Sequence, residues 1–156
     1  MSNPTLASSE QTQETLSKLQ HTIWAINESK GFHDDRPEGG QALSDWQGNK
    51  LMLIVSEAAE AQDEIRTGHA ANETYYPDPL LPSSLVAEVG VEKARELIAQ
   101  DNLGKLPKPE GVHSELADIV IRCFDFAATE GFELGAILAE KIAYNSTRPY
   151  KHGKKF

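Results

Sequence analysis

Two acidic pairs carry the first chemical signal in this 156-residue chain, Glu57-Ala-Ala-Glu60 and Glu115-Leu-Ala-Asp118. Residues three apart on an α-helix lie one turn above each other on one face, so each pair aims two carboxylates at one point. At about 100° per residue, Glu57, Glu60 and Glu64 fall together, opposite the apolar stripe Leu51, Ile54 and Ala58. Glu115 and Asp118 fall opposite Leu116, Val120, Cys123 and Ala127. Set across a cleft, four such carboxylates would repel one another unless a divalent cation lay between them. Oxygen-only ligation suits Mg2+, with Mn2+ as a substitute, because these hard cations keep waters and bind phosphate oxygens. The same spacing also describes two amphipathic helices whose acidic faces simply meet water. Other metals fit worse. A di-iron bundle wants two Glu-x-x-His motifs on helices, and the one match, Glu110 to His113, lies in a Gly- and Pro-containing stretch. One cysteine and five scattered histidines do not compose a zinc site. There is no Walker A loop, no GxGxxG and no GxSxG elbow.

Downstream, Lys141, Asn145 and Arg148 are spaced four and three apart and share one face at the end of a helix that Pro149 stops. Lys151, His152, Lys154 and Lys155 follow. Cations at a helix C-terminus are favourable in any protein, because the macrodipole is negative there. Next to four carboxylates they acquire a second reading. Lys141 and Arg148 would contact phosphate oxygens while Asn145 hydrogen-bonds phosphate or sugar, giving a site for a metal-bound polyphosphate.

The elements that must position these groups read as helices throughout. The spacing predicts a first helix from about Glu10 to Ser29 on Leu16, Leu19, Ile23 and Ile26, stopped by Gly31. Residues 31 to about 48 read as loop, rich in Gly, Pro and Asp. A second helix runs from near Asn49 to Arg66 on the stripe Leu51, Ile54, Val55, Ala58 and Ile65, ended by Thr67 and Gly68. A third covers about Ser84 to Gln100, a fourth Ser114 to Thr129 with a break at Gly131, and a fifth Glu133 to Asn145. No run alternates long enough to demand a strand. The expected fold is an all-α bundle of about five helices, with one helix inserted between the two acidic-motif helices. Residues 1–9 read as a disordered N-terminal segment, 10–150 as the domain with an insert over about 69–110, and 151–156 as a basic tail.

Composition narrows the function classes. A formal charge of −9 argues against a nucleic-acid binder, which needs a basic surface to displace counterions from phosphates. No stretch approaches the roughly eighteen apolar residues of a membrane span, and the polar start lacks a signal-peptide pattern. Cys123, in the apolar run Ile119, Val120, Cys123, Phe124, reads as a small buried hydrophobe. A cytoplasmic location follows as the expectation, host cytoplasm if the source is viral.

Taken in order, an aromatic-containing first helix, ExxE, ExxD and then K-x-x-x-N-x-x-R-P-x-x-H-G-K resemble the MazG-like members of the all-α NTP pyrophosphatase superfamily. The type with ELADIVIR followed by KIAYNSTRPYKHGKKF, seen in actinobacterial and bacteriophage proteins, is the most similar. The resemblance covers roughly Leu16 to Gly153, apart from the insert. It implies that Glu57, Glu60, Glu115 and Asp118 bind Mg2+, and that Lys141, Asn145 and Arg148 contact the nucleotide's phosphates or sugar. Relatives build part of the base pocket from the first helix and the residues after it, which draws attention to Trp24, Asn27, His33 and Trp46; Trp24 also continues the core spacing of Ile23 and Ile26. Two features depart from the pattern. Ser56 stands where many relatives carry a further glutamate, which Glu64 could replace, and the gap between Glu60 and Glu115 is longer than usual.

The implied reaction is hydrolysis of a (d)NTP between its α and β phosphates, giving (d)NMP and pyrophosphate. Such chemistry needs positioning and charge neutralisation more than covalent help. Metal held by the acidic pairs would polarise the attacking water, Glu57 or Glu60 would take its proton, and Lys141 and Arg148 would neutralise the leaving group. Alternatives are a phosphoribosyl-ATP-type pyrophosphohydrolase, a catalytically idle nucleotide- or alarmone-binding helical domain, and a purely structural helical domain. The expected partners are a nucleoside triphosphate and further copies of the chain, in a dimer or tetramer, with neither nucleic acid nor membrane.

Overall fold

The computed structural model describes residues 9–150 and is all-α, with six helices and no strand among them. They are α1 (Ser9–Ser29), α2 (Gly40–Arg66), α3 (Ser83–Val89), α4 (Val91–Asp101), α5 (Val112–Thr129) and α6 (Leu134–Ser146). The N-terminal segment and the basic tail anticipated at the two ends fall on residues 1–8 and 151–156, outside the described ones, although Ser9 already begins α1. Among the described residues no helix is long and apolar enough to cross a membrane.

The chain divides into two compact units. One takes in the chain up to Glu57 and again from Asp118 onward; the other is Ala58–Ala117. The division falls inside α2 and inside α5, so each helix contributes residues to both.

In the first unit α1 packs along α6. The contact is close at Gly135, where an added Cβ would come within 2.9 Å of the Leu16 Cβ. Gln20 joins them and is almost fully buried. Its Nε2 donates to the Phe132 carbonyl at 2.8 Å, and its Oε1 accepts from the Leu134 amide at 3.0 Å. That amide opens α6 and has no intrahelical partner, and Glu133 supplies no side-chain cap; Gln20 takes that place. The ends of α1 and α5 are set by one device. Gly31 and Gly131 are left-handed (φ 77° and 76°), with Phe32 N bonded to Asn27 O and Phe132 N to Ala127 O. This is the Schellman closure, which glycine enters without a Cβ penalty.

The second unit holds α3 and α4, packed on each other, and the segment before them. Tyr75 and Glu110 exchange backbone hydrogen bonds at 3.2 and 2.9 Å in a single antiparallel bridge. Around it the Tyr75 ring stacks on His69 at 4.4 Å, and its hydroxyl donates to Glu64. Tyr76 is exposed.

Three expectations change. α2 starts at Gly40, nine residues before Asn49, so the stretch read as loop is half helix. Gly48 costs helix stability, but Trp46 is buried and Gln47 donates to Glu130 at 2.5 Å, and these contacts carry the helix through it. The inserted helix is two, because Gly90 sits at φ 82° and ends α3. The third concerns which face is inside. Leu51, Val55 and Ile65 are about half exposed, whereas Glu57 and Ala61 are buried. On α5, Leu116 and Val120 are likewise exposed, whereas Ala127 of the expected stripe is buried and Phe124 is buried with it.

Candidate functional site

Trp46, Lys50 and Leu53 on α2 recur at four and three residues, and Asp118, Arg122, Asp125 and Thr129 on α5 at four, three and four, so each set lies on one helical face. With Asn27 at the end of α1 and Phe32 just after it, they line a cavity of about 260 Å³ within the first unit. Glu57 continues the α2 face by one turn and is 5% exposed. Arg122 Nε donates to Glu57 Oε1 at 2.7 Å, and Nη2 of the same guanidinium contacts that oxygen as well. Glu57 and Asp118 each offer a carboxylate oxygen, the two within 4.8 Å of one another.

A second carboxylate system occupies the same unit. Asp125 faces His33 Nε2 with both oxygens, at 3.0 and 3.2 Å, and His33 Nδ1 lies 2.6 Å from Glu28 Oε2. A carboxylate thus faces each nitrogen of the ring. The His33 side chain is 7% exposed and stacks on Trp24 at 5.8 Å with 14° between the planes. Trp46 is buried on α2 rather than standing in a loop. Its Nε1 donates to Asp35 at 3.1 Å, and Lys50 Nζ lies 4.8 Å from its ring centroid while donating to the Phe32 carbonyl.

The sequence-derived residues thus separate. Glu57, Asp118, Asn27 and Trp46 come together in the first unit around its cavity, and His33 with Trp24 backs Asp125. Lys141, Asn145 and Arg148 belong to the same unit but are exposed and do not line the cavity; Lys141 lies 5.8 Å over the Tyr144 ring. Arg148 lies beyond α6, its amide donating to Asn145 O at 3.2 Å. Glu60 and Glu115 belong to the second unit. Glu60 is exposed one turn after Glu57 on α2, and Glu115 is buried one turn before Asp118 on α5. Glu64 accepts from Tyr75 at 3.0 Å, which raises the Tyr75 pKa by fixing the phenol proton on a carboxylate, with desolvation adding to it.

Lys50, Arg122 and Asp125 are cavity residues that the acidic motifs did not point to. Their signal lay in the spacing. Arg122 and Asp125 extend Asp118 by four and seven residues along one helical face, and Lys50 precedes Glu57 by seven. No family model, no curated protein and no solved structure matches the chain.

Proposed function

We propose that the chain is a Mg2+-dependent nucleoside triphosphate pyrophosphohydrolase, converting a (d)NTP and water to (d)NMP and pyrophosphate. The observation that carries the reading is the buried Glu57 carboxylate, with an Asp118 oxygen within 4.8 Å, beside a cavity lined also by two cations, three aromatic rings and an amide. The donors fit the ion. Mg2+ takes oxygens at about 2.1 Å in octahedral geometry, so two oxygens on one ion lie at most about 4.2 Å apart. The Glu57 and Asp118 oxygens, within 4.8 Å of one another, are close to that span.

Bound Mg2+ would supply charge neutralisation and a more acidic water. Glu57 takes the water's proton. Lys50 and Arg122 line the cavity and meet phosphate oxygens as charge moves onto the leaving pyrophosphate. The part assigned to Lys141, Asn145 and Arg148 belongs in this reading to a homo-oligomer. Leu51, Val55, Val120, Ile137 and Ile142 are all exposed, and an interface between copies would bury them.

One observation favours a second reading, a nucleotide-binding helical domain without turnover. Arg122 already neutralises Glu57, and an acid so paired is a weaker ligand and base. Product analysis separates the two. Purified chain with Mg2+ and each common (d)NTP should release the monophosphate and pyrophosphate, and Asp118→Asn should abolish release while keeping a helical circular dichroism spectrum. Diphosphate and orthophosphate as products, or full activity in Asp118→Asn, would refute the hydrolase reading.

A further inference from the structure

We infer that the cavity selects nucleotides whose base carries an amidine edge, the exocyclic amine beside an unprotonated ring nitrogen that cytosine and adenine share. The inference rests on the nucleotide reading above and adds the substrate class. Asp118 and Asp125 both line the cavity and are seven residues apart on α5, about 10 Å along its axis. Asp118 lies beside Glu57, whereas Asp125 lies against His33. The cavity therefore has an acidic group at the metal-suited position and a separate one further along, where a nucleotide anchored by its phosphates carries its base.

Asp125 is suited to read that base. It is buried, and an ionised carboxylate only accepts hydrogen bonds. His33 uses part of its capacity; the remaining lone pairs call for a donor. His33 is itself held by Glu28 and the Trp24 ring, so the carboxylate is fixed rather than free to turn away. Asn27 lines the same cavity. Its backbone carbonyl closes the α1 terminus by accepting from Lys30 and Phe32, leaving the side-chain amide for a ligand. An amide N–H for the ring nitrogen and a carboxylate for the amine, both lining one cavity, suit cytosine N3/N4 and adenine N1/N6. Trp46 and Phe32 offer aromatic faces in the same cavity. Uracil, thymine and hypoxanthine invert the pattern. Each puts a carbonyl where the amine stood, and an acceptor facing a fixed carboxylate is repelled.

Deaminated pairs test this with little change of shape. Values of kcat/KM for dCTP against dUTP and for ATP against ITP, with Mg2+, should favour the amino member by about tenfold or more, because a buried polar group left unpaired is a strong discriminator. Asp125→Asn should bring both ratios toward one, since a carboxamide can turn to face either edge. Asn27→Ala should lower them as well without touching the His33 pair, which covers the case in which the Asp125 variant does not fold. If no pyrophosphate forms from any nucleotide, the hydrolase reading fails by itself. The base preference is then read by calorimetric titration of the same four nucleotides with Mg2+. Equal constants within each pair, unchanged ratios in both variants, or no nucleotide binding at all would overturn the inference.

Discussion

Replacing Arg122 with alanine leaves Glu57 as a buried carboxylate without its cation, beside a second carboxylate. Glu57's side chain is 7% exposed and that of Arg122 37%. Removing one partner of a fully buried ion pair costs about 3–5 kcal/mol, mostly because the surviving charge cannot be hydrated. Water reaches Arg122, which lowers the figure; about 2 kcal/mol is the expected loss for a pair half open to solvent. For a chain of this length that lowers Tm by roughly 4–8 °C. Two companions make the cause readable. Glu57→Gln removes the charge that needs a partner, so Glu57→Gln with Arg122→Ala should be clearly more stable than the sum of the two single losses predicts. Mg2+ should restore the Arg122→Ala variant by replacing the lost cation, by about 2.7 kcal/mol at a hundred times its dissociation constant. Thermal melts with and without millimolar Mg2+ read all three. An Arg122→Ala protein that melts with the wild type, or one that Mg2+ leaves unmoved, refutes the electrostatic account of Glu57.

Three further expectations are independent of that pair. Gln20→Ala removes both the acceptor for the Leu134 amide and the donor to the Phe132 carbonyl; stranding them should cost about 1–3 kcal/mol, read as a lower Tm. Burial raises the Cys123 thiol pKa above its ordinary value, so iodoacetamide should alkylate it slowly at pH 8 and rapidly only on unfolding. Because the fold favours the protonated thiol, its contribution to stability is complete below the ordinary pKa and is lost as pH rises through the folded one. Glu73 shifts the other way. The Ala70 amide and His69 stabilise its carboxylate and lower its pKa, so this local support is present above the ordinary value and lost as pH falls through the folded one. The protection factor of the Ala70 amide, the exchange rate of a free amide at the same pH divided by its own, should fall over that acid range.

The helix stops were legible because they are local. Gly31, Gly68 and Gly131 end periodic runs, and each terminates its helix where the sequence places the break. The start of α2 was not, since Gly39, Gly40 and Gly48 carry the signature of a loop while the forces that keep the stretch helical come from Glu130 and the packing around Trp46. Nor was the division at Gly90 visible against the surrounding helical periodicity. The acidic pairs put carboxylates on α2 and α5, but gave no sign that Glu57 would be buried, Glu60 exposed and Arg122 the partner of Glu57. Arg122 and Asp125 stand at helical spacing from Asp118, on the α5 face opposite the apolar stripe, a face that hydrophobic periodicity alone assigns to solvent.

That inversion bears on the choice between functions. An amphipathic helix with a solvated acidic face would leave Glu57 in water and bury Leu51 and Val55. The chain does the reverse, with Glu57 buried and both aliphatic side chains about half exposed. Hydrophobic burial would favour the opposite arrangement at these positions, and a buried carboxylate adds a desolvation cost that its ion pair only offsets. Asp125 repeats the pattern with His33 as partner. A helical domain serving only as scaffold gains nothing from either acid. Under the proposed function, a cavity that holds a cation and a charged ligand requires them on the inside, and the exposed aliphatic face would be the surface through which copies of the chain meet.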